Sequence, residues 1–132
     1  MAAKGSFKIT LEHKTLWVRA SGVWTIKIAK DYVSSFQQTI QPMIDSPWAA
    51  VFDFAEWRMS PADVFQLLRE NTQWAIDHNI HYVIVIDVED KLLLWQFVKV
   101  TDVPKPDYLQ SGYVESVEKA RETLRAAGYV LE

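Results

Sequence analysis

Two stretches decide the fold: Trp48-Ala49-Ala50-Val51-Phe52-Asp53-Phe54 and Tyr82-Val83-Ile84-Val85-Ile86. Both are almost unbroken apolar runs, rich in aromatic and β-branched side chains. A strand with one wet face alternates apolar and polar residues, whereas an unbroken apolar strand is buried on both faces. Burial on both faces calls for helices laid over a sheet, and parallel strands joined by helical crossovers deliver them. Such helices flank both runs. Ahead of the first, Ala29, Tyr32/Val33, Phe36, Ile40 and Met43/Ile44 recur at helical spacing, with Thr25 as N-cap and Pro42 and Pro47 closing the segment. Between the two runs, Ala55 to Met59 reads as a loop. Ser60-Pro61-Ala62-Asp63 then reads as a helix start, with a hydroxyl at the N-cap, Pro at the first position and a carboxylate at the third. Val64, Leu67, Leu68, Trp74 and Ala75 give that helix its apolar face. It ends at His78-Asn79, with Asn79 suited to a left-handed conformation.

Phe7, Ile9 and Leu11 alternate with polar residues, as do Leu16, Val18 and Ala20; with His13-Lys14 as the turn, this is an antiparallel hairpin. Beyond the second buried run, Asp87 follows and Asp90 caps a helix from Lys91 to about Val100 that is apolar nearly all round. Pro104 and Pro106 mark an extended connection, and Tyr113-Val114 a short strand. Ser116 caps a last helix with Val117, Ala120, Leu124 and Ala127 inward, stopped by Gly128. The order is β-β-α-β-α-β-α-β-α. It predicts a mixed, mostly parallel five-stranded sheet with four helices, right-handed crossovers and an antiparallel first strand.

The 132 residues predict a single domain spanning 1–132, and 49% apolar with 23% charged residues place it among globular chains. A net charge of -3 argues against nucleic acid as a partner. Without cysteine there is no disulfide, thiolate metal site or Cys nucleophile. The longest apolar runs fall far short of the roughly 20 residues of a membrane helix, and Met1 to Gly5 carry no apolar signal core. No membrane insertion and a cytoplasmic location are the expectations.

The order of elements resembles the SpoIIAA-like fold of anti-sigma-factor antagonist (STAS) domains, and more closely a group of small bacterial SpoIIAA-like proteins. The likeness is carried by four stretches. They are Gly22-Val23-Trp24-Thr25, then Trp48 to Phe54 with Trp57, then Ser60-Pro61 leading to Asn71-Thr72-Gln73-Trp74-Ala75, and Tyr113-Val114-Glu115-Ser116 with Ala120. The resemblance implies an α/β architecture and a binding or regulatory role, but no reaction. Regulatory STAS domains carry an Asp-Ser-Ser-Gly-like turn with a phosphorylated hydroxyl after the central strand. Here Asp53 is followed by Phe54-Ala55-Glu56-Trp57-Arg58-Met59-Ser60, so the switch residues are missing.

Ligands of open α/β sheets favour the carboxyl ends of parallel strands. That rule places any site around Asp53, Trp57, Met59, Ser60 and Asp87. Asp53 and Asp87 are the only candidates for acid–base or Mg²⁺ chemistry there, and no phosphate loop or nucleophile elbow accompanies them. Ser60 reads as a helix cap rather than a phosphoacceptor. His78 and His81 are separated by the helix-ending Asn79, so they do not form a metal pair. Neither a metal nor a cofactor is expected.

The six Trp, five Tyr and six Phe are the one feature above background. They read either as bulky core or as an exposed patch for a partner or an apolar pocket. The expectation is a non-catalytic interaction or regulatory domain. It would form a homodimer through Leu92, Trp95 and Phe97 of the all-apolar helix, or meet another protein. A binding module for a small apolar or lipid-like molecule is the first alternative, since related folds include lipid-carrier (CRAL-TRIO) domains. A small hydrolase using Asp53 and Asp87 is the second.

Overall fold

A computed structural model describes residues 5–58, 60–86, 91–100 and 102–131. Strands β1 (Ser6–Glu12) and β2 (Thr15–Gly22) form the hairpin, antiparallel in register from Ser6 opposite Ser21 to Glu12 opposite Thr15. His13 takes the left-handed conformation that its two-residue turn demands, with φ 53°. Then come α1 (Ile26–Ile40), a 3₁₀ turn at Gln41–Met43, β3 (Trp48–Trp57), α2 (Ala62–Asp77) and β4 (Ile80–Ile86). The chain continues through α3 (Lys91–Val100), β5 (Gln110–Val114) and α4 (Val117–Ala127). The sheet order is β1-β2-β3-β4-β5; β2 to β5 run parallel and β1 antiparallel to β2, as the sequence predicts.

The two faces of the sheet are covered unequally. Leu16, Val18 and Ala20 of β2, Ala50 and Phe54 of β3, and Val85 of β4 share a core with α1, α2 and Leu93 of α3. On the opposite face Ala49, Val51, Ile84 and Ile86 share a smaller core with Ala120 and Leu124 of α4 and Val130 beyond it, flanked by Trp17, Tyr82, Val114 and Tyr129. Alternate residues of β3 and β4 therefore enter different cores, which is why both strands read as unbroken apolar runs.

The helix ends follow local chemistry in most places. The Thr25 side chain accepts from the Ile28 N–H, and Ser116 from that of Lys119. Asn79 and Gly128 take left-handed conformations after α2 and α4, with φ 77° and 87°. Two expectations are corrected. The predicted Ala55–Met59 loop is strand as far as Trp57, because β2 extends past a bulge between Arg19 and Ser21 to pair Gly22 with Trp57. Ser60 does not cap α2: Pro61 holds that position in an extended conformation and makes no side-chain cap bond. The expected cap at Asp90 lies outside the described residues.

Candidate functional site

A cavity of about 160 Å³ lies between the inner sheet face and helices α1, α2 and α3. Phe36, Leu68, Ala75, Ile76, Ile80 and Val85 supply its buried apolar walls. Val98, Asp102, Lys105, Ser111 and Tyr113 are exposed and make its rim. The rim charges face each other, with Lys105 Nζ 3.8 Å from Asp102 Oδ1. Phe97 and Val98 of α3 line the cavity on one side, and Val83 and Val85 of β4 with residues of β5 line it on the other. Leu93 reaches the core, Phe97 meets Phe52 and Phe54 at ring distances of 6.2 and 4.8 Å, and on β5 the lining is Ser111, Gly112 and the exposed Tyr113.

Two polar side chains, Asn71 and Tyr32, line this space while 5% and 4% exposed. Asn71 follows Val64 and Leu68, and precedes Ala75, along the stripe of α2 that faces the sheet. Gln37 Nε2 of α1 donates to its Oδ1 over 3.1 Å. Tyr32 is packed edge-on against Phe7 and tilted over Trp24 and Phe36. Burial raises its hydroxyl pKa far above the ordinary phenol value, so it stays protonated.

The residues singled out from the sequence lie elsewhere. Asp53 Oδ1 accepts the N–H of Ala55 at 3.1 Å, closing a local turn. Trp57, expected in a loop, is 1% exposed and belongs to the core. Its ring lies 4.8 to 6.2 Å from those of Phe54, Trp24, Phe65 and Phe97. Ser60 Oγ accepts from the Trp24 N–H at 3.1 Å and donates to the Arg58 carbonyl at 3.1 Å. Met59 and Asp87 lie outside the described residues. None of Asp53, Trp57 and Ser60 lines the cavity. His78 stacks on Trp74 and donates through Nδ1 to its carbonyl, while His81 stacks on Tyr108. Among the described residues no group of three His, Asp or Glu could hold a metal ion.

The expected interface residues divide. Phe97 is partly buried and packs against Phe52, Phe54 and Trp57. Leu92, Trp95 and Val98 form an outward stripe, 61%, 58% and 43% exposed. The connection after α3 puts Val103 in the core and Leu109 against it. Asn71 and Tyr32 were missed as site residues; the signal for Asn71 was an amide at an otherwise apolar position of α2.

Sheet order, crossovers and helix placement define a SpoIIAA-like α/β domain. A crystal structure of a DUF3478-family protein with a SpoIIAA-like fold, from Shewanella loihica, superposes with a TM-score of 0.71. The match covers 94% of this chain and 98% of that one at 15% identity, so it establishes the fold and nothing finer. No family model matches the sequence, and no curated protein matches it. No helix among the described residues is long and apolar enough to cross a membrane.

Proposed function

We propose that this domain is a non-catalytic binding module that takes a small apolar molecule into the cavity beneath α3. The observation that carries the reading is the cavity itself: about 160 Å³, walled by buried apolar side chains. A cavity of about 150 Å³ lined by aliphatic and aromatic groups holds benzene. Pockets built for ligands combine such walls with a few polar groups. The non-catalytic part rests on the strand ends, where Asp53 is held by its own turn and Ser60 by backbone partners. Benzene is the probe. Saturating benzene raises the thermal midpoint of the wild-type protein, because a ligand that binds only the native state stabilises it. Ala75→Leu, which fills the space, removes that increment. An unchanged wild-type midpoint overturns the reading.

Self-association is the second reading, favoured by the outward stripe Leu92, Trp95 and Val98. Large contiguous apolar surface on a small domain marks a place where something docks.

A further inference from the structure

We propose that the cavity selects a compact, uncharged, ring-sized molecule bearing one oxygen acceptor, which the side-chain amide of Asn71 receives. The proposal rests on the cavity being a ligand site and adds the chemistry of its occupant.

Position 71 belongs to the sheet-facing stripe of α2, where the neighbouring positions are Val64, Leu68 and Ala75. A buried primary amide is costly unless its donors and acceptor are engaged. The acceptor is engaged: Oδ1 takes the hydrogen bond from Gln37 Nε2. That bond occupies Oδ1 and leaves the two N–H groups of Nδ2, on a side chain that lines the cavity, for another partner. Nδ2 hydrogen-bonds to no described residue. Tyr32, 4% exposed, brings a second polar group to the wall, its hydroxyl. It remains a neutral donor because burial opposes its ionisation.

The wall thus offers donors and no charge. Among the described residues, the charged ones on the lining, Asp102 and Lys105, sit exposed at the rim and pair with each other. A carboxylate inside would have no cation to meet, and an ammonium no anion. A neutral carbonyl or ether oxygen gains a hydrogen bond from Nδ2, and its hydrocarbon ring gains the apolar walls. Water competes for Nδ2, but a water held well needs two to four polar partners. An occupant that matches the walls as well displaces it.

Cyclohexanone and cyclohexane form the test pair: equal in ring size, with an acceptor on one alone. NMR titration of the wild-type protein reads both affinities, and the side-chain NH₂ signal of Asn71 reads the contact. Both molecules bind, and cyclohexanone alone moves the Asn71 NH₂ resonance downfield. Asn71→Leu weakens cyclohexanone about five-fold, on the scale of one net hydrogen bond, and leaves cyclohexane within two-fold. Binding of both molecules with an unmoved Asn71 signal overturns the proposal and leaves the cavity reading standing. Binding of neither overturns the cavity reading as well. The NH₂ signal needs no variant, so the outcome does not depend on Asn71→Leu folding. Tyr32→Phe, which removes a single oxygen, gives the second arm: a loss for cyclohexanone alone supports the donor wall, and equal losses for both molecules count against it.

Discussion

Ser60 shows how tertiary structure reassigns a residue whose local reading is plain. Hydroxyl, Pro, Ala and Asp in succession make a helix start, and a helix does start there, at Ala62. The hydroxyl is nevertheless spent elsewhere, on the N–H of Trp24 and the carbonyl of Arg58. Trp24 is fully buried, so its N–H would otherwise lack a partner; Asp63 serves the first turn of α2 by accepting from the Val64 N–H. Ser60→Ala is therefore expected to cost roughly 1–3 kcal/mol, the penalty for orphaning a buried donor. An ordinary capping loss would affect α2 first. Hydrogen exchange separates the two: protection should fall at the Trp24 amide and persist through Val64 and Phe65. Loss confined to the first turn of α2 would restore the cap.

At the scale of elements, most of the fold was legible because local signals and tertiary demands agree. Thr25, Asn79, Ser116 and Gly128 end helices as read, and the alternation in β1 and β2 gives their faces. Strand β3 ran past its predicted end because pairing beyond the bulge in β2 is a property of two strands, invisible in one. The cavity was not legible at all. Its lining comes from helices and strands far apart along the chain, and its only trace in sequence is an amide on an apolar stripe. Helix α3 was legible in part: its surplus of apolar residues is divided between Leu93, Leu94 and Phe97 inside and Leu92, Trp95 and Val98 outside. If the outer stripe joins two copies, Leu92→Glu with Trp95→Glu yields a monomer at concentrations where the wild type is a dimer. The variant still unfolds cooperatively, since exposed substitutions shift the stability of the fold itself by only about 0.5 kcal/mol. Light scattering at matched concentrations decides it, and equal masses for both proteins remove the stripe from the interface.

Across the whole molecule, the sparsely covered face depends on how α4 and the chain beyond it are tied down. The Lys14 N–H and the Thr15 hydroxyl both donate to the Tyr129 carbonyl, joining the β1–β2 turn to the segment after α4. Arg121 of α4 adds a two-pronged bond to Glu12, at 2.7 and 2.8 Å, and its guanidinium lies 4.7 Å from the centre of the Trp17 ring. The hydrogen bond from Arg121 holds the Glu12 carboxyl below its ordinary pKa of 4.5. A carboxyl whose pKa is lower in the folded state stabilises the fold above its unfolded pKa, and that contribution is lost as pH falls through the folded value. Both side chains are 38% exposed, so solvent screens the pair and its contribution is about 0.2–1 kcal/mol. Glu12→Gln should thus unfold at lower urea than the wild type at pH 7, and the gap should close as pH falls below the ordinary carboxyl value and the wild-type carboxyl takes up its proton. Added salt should narrow the gap at pH 7 as well, because the charges are within reach of solvent ions. Urea midpoints for the two proteins across this range provide the check. A gap that is constant with pH would mean that Glu12 holds α4 through packing and shape, with no contribution from its charge.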